Sequence, residues 1–123
     1  LIIVDNGRNL LPPDQEFVRG YSRVIEVDIP TKEIVWEYKS NQDQPLFFSP
    51  IVGAQQRFKN GNTLITEGYF GRVFEINHQG DIVWDYVHPY KPDLESHLSK
   101  IDLRKTGLRQ IYRAYKVNYD LLK

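Results

Sequence analysis

The chain has 123 residues, sixteen basic and sixteen acidic side chains interspersed along it, and a formal net charge of zero. That balance argues against the basic face that a nucleic acid or an anionic membrane surface requires, and no apolar run reaches the roughly eighteen residues of a transmembrane helix. With no cysteine anywhere, a disulfide framework, a thiol nucleophile and a cysteine-held metal are excluded as well, while the compartment stays open.

In chain order, Leu1-Ile2-Ile3-Val4-Asp5-Asn6-Gly7 reads as an apolar strand running into a turn. Residues 8–21 hold Pro12-Pro13 and several charges, so they form an excursion and not a strand. Arg23-Val24-Ile25-Glu26-Val27-Asp28 and Glu33-Ile34-Val35-Trp36-Glu37-Tyr38 are two strands across a short polar turn, followed by a long connection over 39–50. A strand is expected at 51–58. Next comes the turn Lys59-Asn60-Gly61-Asn62, whose Asn-Gly pair favours a type I′ hairpin. Thr63-Leu64-Ile65-Thr66-Glu67 is the next strand, turned by Gly68-Tyr69-Phe70-Gly71. Arg72-Val73-Phe74-Glu75-Ile76-Asn77 alternates polar and apolar as a half-buried strand should. His78-Gln79-Gly80-Asp81 turns it into a last strand over 82–87. A long loop is expected over 88–109, with a locally basic stretch at 99–109, and then a further strand over 110–117.

The chain repeats itself. Trp36 and Trp84 stand 48 positions apart, Arg23 and Arg72 stand 49 apart, and the residues around them nearly match. Self-similarity at about forty to fifty residues, made of strands and turns, marks the blades of a β-propeller. The expected fold is therefore all-β, with four-stranded antiparallel blades. Blade 1 covers about 1–39 with its long loop at 8–21, and blade 2 covers about 51–87. Loop 88–109 leads to the inner strand of a further blade at about 110–117. That makes about two and a half blades, fewer than the roughly 4–8 that close a propeller. With its start inside an apolar run and no methionine, the chain reads as a partial propeller domain over 1–123, part of a longer circular array; a free-standing small β domain is the alternative. Direction alternates within a blade, so the long segments 8–21, 39–50 and 88–109 all fall on one face, which is the expected functional face. Trp36, Trp84, Tyr38 and Tyr86 are expected to pack between adjacent blades.

Several stretches resemble, in order, the signatures of the arylsulfotransferase family. They are Val4-Asp5-Asn6-Gly7, the run from Gly20 through Asp28, Ile34-Val35-Trp36-Glu37-Tyr38, Phe47-Phe48-Ser49-Pro50 and Gly53-Ala54-Gln55. The run from Asn60 to Gly68, Gly71-Arg72-Val73-Phe74-Glu75 and Tyr112-Arg113-Ala114-Tyr115 complete the set. The resemblance implies a six-bladed propeller, periplasmic or exported, that moves a sulfuryl group between phenols without a nucleotide donor. It also implies a ping-pong route through a sulfated histidine, with other histidines and an arginine holding the sulfate oxygens. Its partners would be a small-molecule aryl sulfate and a phenol, with no nucleic acid, no membrane insertion and no cofactor. A histidine that relatives carry near the inner strand is replaced here by Ser49-Pro50-Ile51-Val52. The nucleophile is therefore expected outside this segment, or lost.

Among the three histidines, His78 is expected in a solvated turn and His88 as a polar cap of a strand end; His97 is the best candidate of the three for a base or sulfate donor, with a solvated loop position as its plainer reading. Arg113 and Tyr115 are expected on an inner strand, where Arg113 either lines the channel, its fork suiting sulfate, or by period-two alternation turns toward a neighbouring blade. Together with His97, Arg113 forms the candidate catalytic pair; Asp5, Asn6, Tyr21, Ser49, Gln55, Glu67 and Tyr115 form the candidate ligand-binding set. The plainer role for Asp5, Asn6 and Glu67 is to cap the turns that follow them. Arg23 and Arg72 recur in register and are expected to pair with Glu26, Glu75 or Glu67 as a structural device. No phosphate loop, metal cluster or Ser-His-Asp order appears. The alternative function is a non-catalytic propeller binding a small ligand or a protein through its long-loop face. A weaker third is a quinone-cofactor propeller.

Overall fold

A computed structural model of the chain describes residues 1–8, 18–89 and 110–117. Among these residues it is all-β, with seven strands in two antiparallel sheets. The first sheet has the order β1 (Ile2–Asp5), β2 (Arg23–Val27), β3 (Ile34–Tyr38). The second has the order β4 (Ala54–Arg57), β5 (Thr63–Glu67), β6 (Arg72–Ile76), β7 (Ile82–Val87). Each sheet is a meander, so each strand pairs with its neighbour in sequence.

Turn chemistry sets these hairpins. Phe58 accepts from the Gly61 N–H at 3.1 Å while Phe58 N–H donates to Asn62 O at 2.9 Å. Only Gly61 has positive φ, at 91°. The turn is thus a tight turn closed by a left-handed glycine, and not the type I′ turn expected from Asn60-Gly61, which would need positive φ at both residues. The turn at 77–81 repeats the pattern, with Gly80 at φ 91°. In the first sheet the corresponding turn is one residue longer, and Lys32 takes the left-handed position at φ 61°. Asp28 steadies it by accepting from the Thr31 N–H and hydroxyl at 3.1 and 2.7 Å.

The registers of the two sheets correspond. Glu26 lies between Ile2 and Trp36, as Glu75 lies between Leu64 and Trp84. Val24 lies between Val4 and Tyr38, as Val73 lies between Thr66 and Tyr86. A register irregularity falls at Glu26/Val27 in one sheet and at Glu75/Ile76 in the other. Because side chains alternate across a strand, each sheet has a Trp/Tyr face and an opposite face carrying Ile25 or Phe74.

The core lies where the Trp/Tyr face of the first sheet meets the Phe74 face of the second. Val24, Tyr38, Phe47, Ile65, Phe74 and Ile76 are buried there, with Ile2, Val4, Trp36 and Ile82 packed against them. Phe47, from the connection between sheets, sits edge-on to Phe74 at 5.6 Å and stacks near Tyr38 at 6.3 Å. Polar contacts join the sheets too: Gln55 donates to Ile2 O at 2.6 Å. Arg57 pairs with Glu26 at 3.2 Å and lies 4.6 Å from the Trp36 ring centre.

Two boundaries differ from expectation. The strand expected at 51–58 is Ala54–Arg57, because the Ser49 hydroxyl turns back to donate to Val52 O and spends those residues in a turn. Segment 110–117 joins no ladder among the described residues. It lies along β4 and β5: Ile111 N–H donates to Gly68 O at 3.0 Å, Ala114 N–H to Thr66 Oγ1 at 3.1 Å, and Lys116 N–H to Gln56 Oε1 at 2.9 Å.

Candidate functional site

The sequence-predicted residues Asp5, Asn6, Tyr21, Ser49 and Glu67 come together at one end of the two sheets, where 8–21 and 39–50 leave and return. The base of the 8–21 excursion is pinched by the Arg8–Val18 bridge and by Arg19 N–H donating to Gly7 O at 2.7 Å. Gly7 is needed here. It has φ 75°, and a Cβ would stand 2.3 Å from Tyr21 O.

Each sheet carries an arginine between two carboxylates. Arg23 donates to Asp5 at 2.8 Å and to Glu37 at 3.1 Å. Arg72 grips Asp85 with two nitrogens at 2.9 and 2.8 Å and reaches Glu67 at 3.2 Å. The expected partnership with Glu67 holds, whereas Glu26 and Glu75 are not partners of these arginines. They stand three residues along the same strand and so on the other face, where Arg57 and Lys116 meet them at 3.2 and 3.1 Å.

Environment separates the two clusters. Asp5 is part-exposed; burial raises its pKa, but donors from Arg23, Arg19 and the Gly7 N–H outweigh that and hold it below the ordinary 3.8. Glu67 is buried. Burial raises its pKa above 4.5, and the Phe48 N–H and Arg72 only partly offset that. Arg72, tied chiefly to Asp85, stays charged.

Beneath the clusters runs a buried polar chain. The Ser22 hydroxyl donates to Asn6 O at 3.0 Å and accepts from Ser49 N–H at 2.8 Å. Asn6 Nδ2 donates to Ser49 O, and the Ser49 hydroxyl accepts from Tyr69 N–H at 3.0 Å. Phe48 N–H donates to Glu67 at 2.8 Å. Asn6, Ser49 and Glu67 therefore hold the connection 47–50 against both sheets. Tyr21 is half-buried between two cations, 4.4 Å from Arg19 and 5.9 Å from Lys39. Arg19 Nε and Nη2 are buried without a hydrogen-bond partner.

The other candidates lie elsewhere. Gln55 is spent on the Ile2 carbonyl between the sheets. Arg113 and Tyr115 are exposed on segment 110–117, where Arg113 donates to the Tyr115 hydroxyl. His97, loop 90–109 and the proline pair of the first excursion lie outside the described residues. His88 sits at the end of β7, its N–H donating to Gly71 O at 2.8 Å. His78 is exposed in the turn after β6, as expected, and also stacks on Trp36 with ring centres 6.0 Å apart. Its carbonyl accepts from the indole N–H at 3.1 Å. A groove with room for about 250 Å³ opens beside this pair, lined also by Tyr38, Lys39, Asn41 and Gln44. Among the described residues no group of three or more carboxylates and histidines could hold a metal.

Sequence reasoning missed Ser22, Glu37, Asp85 and Arg57. The one available signal was register: Glu37 and Asp85 recur at matching positions beside the two tryptophans.

The family model described as Arylsulfotransferase (ASST) matches residues 3–89, a span that takes in both sheets and the connection between them. The chain belongs to the arylsulfotransferase family. No curated protein and no solved structure matches it. The matched span of this arylsulfotransferase-like chain includes both arginine clusters and the Ser22–Ser49 chain, and stops short of 110–117.

Proposed function

We propose that this chain is part of a six-bladed arylsulfotransferase propeller, periplasmic or extracellular, that transfers a sulfuryl group from a phenolic sulfate ester to a phenol. The family match over residues 3–89 carries this reading. In the first half-reaction a neutral imidazole nitrogen attacks sulfur, and the S–O bond to the donor breaks with its electron pair leaving on the phenolate. In the second, the acceptor phenol loses its proton to a base. Its oxygen then attacks the same sulfur, and the S–N bond breaks to restore the imidazole. Covalent catalysis of this kind divides one difficult displacement into two easier ones, and fixed donors around the sulfate oxygens stabilise the transition state. The nucleophilic histidine lies outside residues 1–123. His97 and Arg113 are this segment's candidates for a base and a sulfate-binding cation, and the two arginine clusters fix the strand ends that frame the site.

A second reading is a non-catalytic propeller that binds a small ligand or a protein through the same face. It is favoured by the placement of Asp5, Asn6, Ser49 and Glu67 in internal hydrogen bonds and ion pairs, and by Pro50, which has no side-chain donor, base or ligand to offer.

The test is sulfuryl transfer by the full protein containing this chain, with an aryl sulfate donor, a phenol acceptor and no nucleotide. Transfer leaving an acid-labile sulfated histidine supports the enzyme. A folded protein inactive across several donors supports the binding module instead.

A further inference from the structure

The chain holds two Asn-Gly pairs, Asn6-Gly7 and Asn60-Gly61. An asparagine before a glycine has a chemistry of its own. The glycine nitrogen can attack the asparagine side-chain amide carbon, because glycine puts no side chain in the way.

The structure sets the two pairs in opposite surroundings. Gly7 is buried, and a Cβ there would stand 2.3 Å from Tyr21 O. Its N–H donates to Asp5 at 3.0 Å. Asn6 Nδ2 donates to Ser49 O, and the Asn6 carbonyl accepts from the Ser22 hydroxyl at 3.0 Å. Both halves of this pair are held from several sides, in the polar chain that ties the connection 47–50 to the sheets.

Asn60 is exposed at the tip of the hairpin between β4 and β5. A Cβ added to Gly61 would meet nothing within 4 Å. Asn60 Oδ1 accepts from the Asn62 N–H at 3.0 Å. That donor draws electron density from the amide carbon and stands ready to stabilise the negative charge that attack places on the oxygen. Against the reaction, the Gly61 N–H donates to Phe58 O at 3.1 Å. The nitrogen is therefore released when one turn bond opens, and openings at an exposed turn tip lie at the low end of a protein's stability range.

We propose that Asn60 is a modification site, converted by intramolecular deamidation, and that the fold preserves Asn6. The Gly61 nitrogen gives its proton to hydroxide and attacks Cγ of Asn60. The N–Cγ bond forms, the Cγ–Nδ2 bond breaks, and Nδ2 takes up a proton and leaves as ammonia. Water then opens the cyclic imide at either carbonyl, with no oxidation or reduction. One product is aspartate. The other is isoaspartate, whose main chain runs through the former side-chain carbon and is one methylene longer. Either product adds a negative charge to a chain of zero net charge. Aspartate keeps the acceptor for the Asn62 N–H, whereas isoaspartate lengthens the turn that Phe58 N–H and Asn62 O close at 2.9 Å. The turn lies at the opposite end of β5 from Glu67, so the modification stands apart from the candidate site.

The experiment incubates the full protein containing this chain at mildly alkaline pH, folded and in urea. Mass spectrometry follows the peptides that carry residues 6 and 60, with isoaspartate separated from aspartate by chromatography. In the folded protein Asn60 is expected to convert at least about tenfold faster than Asn6, since each further hydrogen bond that must open first lowers the open population severalfold. In urea the two are expected to convert at similar rates. An Asn60 that is stable when folded but converts in urea overturns the proposal, because the bond to Phe58 then protects it. So does an Asn6 that converts as fast as Asn60 in the folded protein. An Asn6 that stays unchanged in urea also overturns it, since its preservation would then owe nothing to the fold.

Discussion

Asp5 and Glu67 hold the same register position, each opposite an arginine, yet their carboxyls shift in opposite directions. The difference is how much water each loses and how many donors replace it. Arg23 is part-exposed, and removing one partner of such a pair costs little, about 1 kcal/mol or less. Arg72 has a side chain only 8% exposed, and its removal strands Glu67 in the interior. A buried charge left unpaired costs about 3–5 kcal/mol. Arg72→Met is therefore expected to lower the urea midpoint far more than Arg23→Met. Equal losses would mean that the two clusters are equally solvated. The pH dependence has a definite sign. With its folded pKa raised above 4.5, Glu67 contributes stability that is full below that value and lost as pH rises through the shifted pKa. Asp5, lowered below 3.8, contributes stability that is present above that value and lost as pH falls through its folded pKa. Glu67→Gln keeps an acceptor for the Phe48 N–H and should flatten the decline toward neutral pH while leaving the acid limb in place. Denaturation midpoints measured across that range check it; an unchanged decline would place its origin in another group.

Strands were legible wherever alternation and turn chemistry agreed. Thr63–Glu67 and Ile82–Val87 fall where the sequence puts them, because each follows a polar turn with a glycine, Gly61 or Gly80, at the left-handed position. Less legible were stretches whose conformation depends on distant partners. Residues 51–53 look like the start of a strand but are drawn off by Ser49, which answers to Ser22 and Tyr69. The ionic partners of Arg23 and Arg72 were only half legible, since Glu26 and Glu75 are near in sequence but on the opposite side of the pleat. Clustering of Asp5, Asn6, Ser49 and Glu67 followed from strand direction, whereas their engagement with one another did not. The position of 110–117 has a specific cause. Gly68 lets the segment approach, since a Cβ there would stand 2.3 Å from Ile111 O and 2.9 Å from Val52. Gly68→Ala is expected to push 110–117 off the sheet while β5 and β6 stay paired. Hydrogen exchange should then show faster exchange at Ile111, Ala114 and Lys116 and unchanged protection at Ile65 and Phe74. Retained protection at Ile111 would mean that the backbone of 68–71 moves instead.

At the scale of the molecule, identical residues have different worth because the described residues hold one junction between sheets, which covers Trp36 and not Trp84. Trp36→Ala removes a ring packed against the core, stacked on His78 and held at its N–H, so a loss of about 2–3 kcal/mol is expected, somewhat below that of a fully buried ring. Trp84→Ala removes a half-exposed ring stacked only on Tyr86 among the described rings, and the loss should stay within about 1 kcal/mol. Thermal midpoints of the two variants make the comparison. Whether the two sheets fold as one unit follows from where the core lies. The main core cluster is shared: Val24 and Tyr38 of the first sheet are buried against Ile65, Phe74 and Ile76 of the second, with Phe47 of the connection between them. Phe74 touches both sides, with ring centres 6.0 Å from Tyr38 and 5.6 Å from Phe47. Phe74→Ala should cost about 3–5 kcal/mol, and the loss should appear in both sheets although the change lies in one. Amide exchange of Val24 and Ile25 in the first sheet should rise together with that of Ile65 and Ile76 in the second, in a single cooperative opening. Protection lost around β6 but kept in β2 would show that β1–β3 holds together without the second sheet, and the shared core would then be a docking surface between two independent units.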